Sequence, residues 1–240
     1  MPKNDFSNYK FRCSSLGKLM TDARSGGGLG ETAKAHLLEC WIRERYGRDH
    51  EIISKYMQKG VAVEEAAITQ YSLQKKKFFK KNVDKLENEF ITGTPDLYTG
   101  ESIKEAEEII DIKSSWDIFT FWANFHKPLN KDYRYQLLGY QALSNARKSN
   151  LAYELVSTPS KFIEDEINRK KWDWGNIDPE SDPNFMQLVD YIRSSMRYED
   201  IPLSEKLIEF EIPWDENEVD KIYERCKVGR KFMQELENAI

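Results

Sequence analysis

An apolar run broken at alternate positions by an acid and a base, Glu108-Ile109-Ile110-Asp111-Ile112-Lys113, governs the reading of this sequence. Alternate residues of a β-strand face the same side of a sheet. Asp111 and Lys113 therefore project together, with Ile110 and Ile112 on the opposite, core-facing side. Gly93-Thr94-Pro95-Asp96 precedes the run at a hairpin's separation, so Asp96 meets the other two if its strand pairs with theirs. Two carboxylates and an ammonium then converge at one spot on a sheet. A bare Asp-x-Lys on a surface strand is an ordinary ion pair that contributes little energy. The Pro-Asp ahead of it, after an apolar strand, turns the pattern toward a site.

The rest of the chain supplies elements around that strand. Ser14 or Ser15 caps a first helix through Leu16, Leu19 and Met20. Ser25-Gly26-Gly27-Gly28-Leu29-Gly30 breaks the chain as a connector, and no Lys-Ser or Lys-Thr follows it to make a phosphate loop. Helices are expected over Glu31–Tyr46 and from about Ser54 to Gln74. The period then changes to strands over Phe78–Val83, Glu89–Leu97 and Glu108–Ser114, with turns at Asn88 and Tyr98-Thr99-Gly100. Two helices follow, near Trp116–Ala123 and from Asp132 to about Ala146, then a strand over Leu151–Ser157. Residues 159–200 hold a charged helix, Trp172 and Trp174, and turn signals at Asp178-Pro179 and Asp182-Pro183. Lys206–Ile212 reads as an edge strand. Asp215 caps a closing helix whose Ile222, Cys226, Met233, Leu236 and Ile240 share one face. This order predicts an α/β fold, a central mixed β-sheet flanked by helices. It fits one domain over residues 1–240, with a core at about 10–157 and a C-terminal extension at 158–240.

Composition excludes several classes. No apolar run approaches the roughly 20 residues needed to cross a bilayer, and Met1–Arg12 lacks the apolar segment of a secretory signal. A cytoplasmic protein is expected. Cys13, Cys40 and Cys226 are too scattered for a disulfide framework, a zinc site or a four-cysteine iron–sulfur site. His36, His50 and His126 lack metal-ligand spacing. The net charge of −5 is no bar to nucleic acid, because the placement of positive charge matters more than its sum.

The chemistry latent in Asp96, Asp111 and Lys113 is metal-assisted hydrolysis. A hard ion such as Mg²⁺, or Mn²⁺ in its place, prefers oxygen ligands and retains waters. The carbonyl of Ile112 is a further oxygen within the same strand. Lys113 can orient the attacking water or stabilise charge developing on a phosphate. Asp96…Asp111-Ile112-Lys113 resembles the PD-(D/E)XK nuclease signature. Gly60-Val61-Ala62-Val63-Glu64 resembles the G-x-x-x-E motif of lambda-exonuclease-like and RecB-like nucleases, which implies Glu64 as an extra metal ligand. Gln136-Leu137-Leu138-Gly139-Tyr140 is similar to the QxxxY motif of the same group. On one helix face with Glu64, Gly60 would permit close approach to the sheet. Gln136 and Tyr140 lie one turn apart, and their tips either hold a DNA strand or orient Lys113.

The resemblance extends, through Ser14 near the start of the first helix, to phage recombination exonucleases including the YqaJ-like viral recombinases. Arg12 is near enough to offer a phosphate fork, although Ser14 is equally readable as an N-cap. The resemblance spans about residues 10–157. A basic residue soon after the lysine is missing, since Ser114-Ser115-Trp116-Asp117 follows, so no 5′-phosphate pocket is carried over. Lys75-Lys76-Lys77-Phe78-Phe79-Lys80-Lys81 could track a DNA backbone, with Lys76 and Lys80 among its contacts, or form a solvated face. The resemblance implies a metal-dependent exonuclease acting on double-stranded DNA ends in phage-type recombination, beside a single-strand annealing recombinase, as a homotrimer. A structure-specific or restriction-type endonuclease, or a non-catalytic DNA-binding protein on the same fold, are the alternatives. The apolar stripe of Asp215–Ile240 could serve as the subunit contact.

Overall fold

Five of the helices among the described residues begin where a side chain accepts one of the first free amides. A computed structural model describes residues 3–49, 54–175 and 181–240, so His50 and Asp178-Pro179 lie outside the described residues. Helix α1 (Leu16–Leu19) is short and follows strand β1 (Phe11–Arg12) through a 3₁₀ turn. Ser15 stands at its start without capping it; the Ser15 hydroxyl donates to Arg12 O at 2.9 Å. Helix α2 (Glu31–Tyr46) has the expected bounds. Helix α3 (Lys55–Lys75) is capped by Ser54, whose hydroxyl accepts from Met57 N at 3.2 Å. Asp117 and Thr120 form a reciprocal capping box on α4 (Ile118–His126), and Asn130 caps α5 (Lys131–Ser144).

Proline divides what the sequence suggested was one strand over Glu89–Leu97. Pro95 has no amide to give a ladder, and the chain crosses there from one sheet to another. Strands β2 (Leu86–Glu87) and β3 (Ile91–Gly93) join β1 in a small sheet ordered β1-β3-β2. Strands β4 (Leu97–Thr99), β5 (Glu108–Ser114), β6 (Lys148–Glu154) and β7 (Leu207–Pro213) form the main sheet in that order. The β5–β6 pair is parallel and its neighbours antiparallel. Phe78–Val83 is not a strand: Phe79 and Asn82 turn inward from a loop instead.

Two layers cover the main sheet. α3 packs on one face, where Ile68, Tyr71 and Phe79 meet Leu97, Ile110 and Ala152. On the other, α5 and the closing helix α8 (Glu216–Asn238) share the principal core with Ile109, Leu151 and Tyr153. Lys59, almost wholly buried in α3, donates to Ser115 O (2.6 Å) and Trp116 O (2.7 Å), and so ties that helix to the end of β5. Helices α6 (Ser160–Asp173) and α7 (Pro183–Met196) make a separate cluster around Phe185 and Ile192. Helix α7 is not apparent from the sequence, because Pro183 looks like a turn signal; here the proline occupies the first helical turn, behind the Asp182 cap.

Residues beyond 157 are not an appendage to the sheet, since β7 supplies its edge and α8 much of its core. Most of the apolar stripe of α8 faces its own core, with Leu236 half-buried and Ile240 64% exposed at its end. Val219, Ile222, Cys226 and Met233 are all buried within their own chain. Among the described residues, no helix is long and apolar enough to cross a membrane.

Candidate active site

The carboxyl end of β5 opens into a cleft of about 1240 Å³, lined among others by Glu64, Asp96, Ile112, Lys113 and Gln136. In α/β sheets the ends of parallel strands are where ligands gather, and β5 and β6 are the parallel pair. β4 starts only at Leu97, opposite Ile110. One step further along, the ladder is continued by a side chain: Asp96 Oδ2 accepts from Ile112 N at 2.9 Å. Asp96 is thus fixed beside Asp111 because Pro95 stopped the strand. Asn82 holds the corner, its amide nitrogen donating to Pro95 O (2.9 Å) and its backbone N to Asp96 O (2.7 Å). Nothing in the sequence marks Asn82 out.

Asp111 and Lys113 project from the same face of β5, as the alternation required. Asp111 is fully buried, with Lys113 Nζ 2.7 Å from its Oδ2. Lys113 also lies 5.2 Å over the ring of Tyr133. Desolvation in the cleft pulls the lysine pKa down, but the Asp111 and Asp96 charges outweigh it and hold the pKa above its ordinary value. Asp96 goes the other way. Removal from water and the facing Asp111 push its pKa up to about 7, against the pull of Lys113 and the Ile112 amide.

Gln136 and Tyr140 lie behind the carboxylates. Gln136 Nε2 donates to Asp111 Oδ1 at 3.1 Å and to the Tyr140 hydroxyl at 2.9 Å, and both side chains are buried. A carboxylate only accepts, so the amide nitrogen must be the end that faces it. The Gln136 tip is thus turned toward Asp111 rather than Lys113, while Gln136 also lines the cleft. Gly93 makes room for Tyr140: a Cβ there would stand 2.5 Å from Tyr140 Cε1.

The other expected residues are dispersed. Glu64 reaches the cleft, but its carboxylate lies 2.6 Å from Lys81 Nζ. Gly60 borders open space, and a Cβ on it would meet nothing within 4 Å, so close approach to the sheet is not its role. Ser14 is exposed on the cleft wall. Arg12 is exposed on β1, and it is not among the residues described as lining the cleft. Lys76 borders a different groove, and Lys80 is exposed outside the cleft lining. Lys81, which the sequence reading did not single out, is the lysine of that run that reaches Glu64.

The donor set suits a hard divalent cation. The negative charge that Asp111 sets beside Asp96 would be offset by a doubly charged ion, and all the available ligands are oxygens. Among the described residues no three acidic, histidine or cysteine side chains converge as a ready cage. Asp96, Asp111 and the Ile112 carbonyl are the protein groups that could hold such an ion, with water completing its shell.

No protein-family profile matches the chain, and no curated protein does. Solved structures do. A phage-related exonuclease from Haemophilus somnus 129PT superposes with a TM-score of 0.73 and 30% identity, over 95% of this chain and 95% of that one. The alkaline exonuclease LHK-Exo from Laribacter hongkongensis has a TM-score of 0.61 at 13% identity, over 96% of this chain and 90% of its own. The same enzyme in complex with dAMP gives 0.62 and 14% over the same shares. These last two share the fold. Given the near-complete overlap with the first, carried on a sheet that unites Asp96, Asp111 and Lys113, the chain belongs to the phage-related exonucleases, a lambda-exonuclease-like branch of the PD-(D/E)XK nucleases.

Proposed function

We propose that this exonuclease hydrolyses phosphodiester bonds of duplex DNA from its ends with Mg²⁺ as cofactor, Mn²⁺ substituting. The observation that carries the reading is the convergence of Asp96, Asp111 and Lys113 at the open end of β5, within 2.7 Å in the case of Lys113 and Asp111. Held by Asp96, Asp111 and the Ile112 carbonyl, the ion would supply Lewis-acid stabilisation of charge on the scissile phosphate and acidify an attacking water.

The chain's own groups do the remainder. Asp111 is kept in one orientation by Gln136, and Asp96 by the Ile112 amide. Lys113 lies 2.7 Å from Asp111, where its ammonium would orient the attacking water or stabilise a phosphate that gains negative charge. Preorganised charge of this kind acts without reorganisation during the reaction. Glu64 is paired with Lys81 through Oε2, so it would join the site through Oε1 or by leaving the lysine. Ser14, exposed on the cleft wall, would meet a DNA end.

Digestion of linear and circular duplex DNA, with Mg²⁺ and with EDTA, tests the reading. Loss of linear DNA alone, and only with Mg²⁺, is expected. Attack on circles favours an endonuclease, and a mobility shift without cleavage favours a binder. Resection of long tracts for phage-type recombination, with a single-strand annealing protein as partner, would gain from a closed homotrimer. Light scattering near the monomer mass of 28.3 kDa, with and without DNA, would remove the trimer.

A further inference from the structure

The C-terminal half of α3 carries a second groove that the proposed chemistry leaves unused. After Lys75, Lys76 adopts a left-handed backbone (φ 52°) as the helix C-cap. Ser72 holds the turn that follows: its carbonyl accepts from Lys77 N at 3.1 Å and its hydroxyl from Phe79 N at 3.3 Å. The turn sends two adjacent phenylalanines opposite ways. Phe79 is buried, its ring centroid 5.2 Å from that of Tyr71. Phe78 is 85% exposed. It helps to line a groove of about 480 Å³ together with Ile68, Ser72, Leu73, Lys76 and Lys77.

Charge separates the lysines of this run. Lys75 pairs with Glu209, and Lys81 with Glu64. Lys76 and Lys77 form no ion pair among the described residues, and the Lys77 ammonium rests 5.5 Å over the Phe79 ring. An exposed ring on a held backbone, with an apolar floor and a rim of unneutralised lysines, is suited to a ligand that is both flat and anionic.

Position narrows the ligand. Rows of residues four apart wind slowly around a helix, and the row Gly60, Glu64, Ile68, Ser72, Lys76 starts in the catalytic cleft and winds into this groove. Glu64 and Ser72 are separated by a rise of about 12 Å along the helix, at 1.5 Å per residue. We propose that the groove binds single-stranded DNA, namely the strand left unpaired as its complement is hydrolysed in the cleft. Phe78 stacks on a base, while Lys76 and Lys77 meet phosphates. The inference rests on the DNA-nuclease reading above. Hydrolysis of one strand bares the bases of the other, and an aromatic platform accepts any base because every base has a π-face. An acidic, apolar peptide would satisfy the same charges, but continuity with the cleft favours the nucleic acid.

The test is anisotropy of a fluorescein-labelled deoxythymidine 12-mer titrated with the full chain in EDTA over a range of NaCl. Phe78→Ala should weaken binding about 10-fold, within the span of a single base–aromatic stack, and Phe78→Trp should restore it. Lys76→Gln with Lys77→Gln should lower the slope of log affinity against log salt by about 1.4, roughly 0.7 for each lost phosphate contact on a single strand. Phe78, Lys76 and Lys77 face solvent, so these variants should melt with the wild type. Unchanged affinity and slope overturn the proposal. So does a Phe78→Ala variant that loses only a labelled peptide of alternating Asp and Phe, the mark of a protein-docking groove. Cleavage of linear duplex by the wild type with Mg²⁺ is read separately. Cleavage without Phe78-dependent binding removes the groove alone; Phe78-dependent binding without cleavage keeps the groove as a DNA site and removes the nuclease reading.

Discussion

Asp111 and Glu154 are both fully buried acids on adjacent strands of the same sheet, on opposite faces, and their surroundings differ in kind. Asp111 faces α5 with an ammonium 2.7 Å away and an amide donor behind it. Glu154 faces α3 with the Gln70 amide as donor, while the nearby Lys75 is taken by Glu209. Burial pushes the Glu154 pKa up to about 8, only partly offset by Gln70, and Glu209 adds to the rise. A buried acid supplied with a counter-charge and an opening to solvent can do chemistry. One supplied with neither holds its proton and serves packing. Burial of an acid alone does not identify a site; the partner does.

The largest effect that would sharpen this contrast is on cleavage. Lys113→Ala should reduce the rate by on the order of 10²–10³ or more, the loss expected when a transition-state charge partner is removed. Steady-state digestion of linear DNA at saturating Mg²⁺ measures it. Near-wild-type rates would remove the distinction drawn for Asp111, and the candidate site with it. Asp111→Asn should abolish Mg²⁺ binding in calorimetry together with activity.

A smaller loss, about 10- to 100-fold, is expected from Gly93→Ala, the range in which slight misplacement of a catalytic group is felt. The added methyl must push Tyr140, and through it the Gln136 amide that holds Asp111. Rates should fall more than Mg²⁺ affinity; an unchanged rate would mean that the network behind Asp111 does not position it.

Glu154 gives a pH signature. Its folded pKa, about 8, is above its unfolded value near 4.5, so folding takes up a proton between those limits. The unfolded chain then binds fewer protons than the folded one, and stability falls as pH rises through that window. Glu154→Gln should flatten this part of the profile and raise the melting temperature at pH 8, with cleavage unaltered. Melting curves at pH 5 and pH 8 decide it; an unchanged slope would mean that Glu154 is charged and paired after all.

The smallest effect concerns Glu64. Glu64→Gln should weaken Mg²⁺ binding and cleavage by less than Asp111→Asn, since its carboxylate is engaged by Lys81. If calorimetry shows no change in Mg²⁺ affinity, Glu64 is a rim charge and not a ligand.

How much of this was legible in the sequence follows from the range over which each signal acts. Strand alternation placed Asp111 and Lys113 on one face, and the Asp215 cap announced its helix, because both effects operate within a few residues. The bounds of α2 were readable for the same reason. Pro95 was visible too, but its consequence was not: it divides a run that looked like one strand and hands Asp96 to a second sheet. The spacing of Gln136 and Tyr140 put them on one helix face, while the direction of that face depended on how α5 lies over β5. The stripe on α8 declared itself apolar yet not against what, and packing assigned most of it to its own core. Lys81 meeting Glu64, Asn82 bracing Pro95 and the burial of Glu154 join residues distant in the chain or on different elements. Sequence by itself determined the chemistry available on β5, because that pattern is local. Only the tertiary structure decided which acid received a counter-charge, because that depends on which elements pack together.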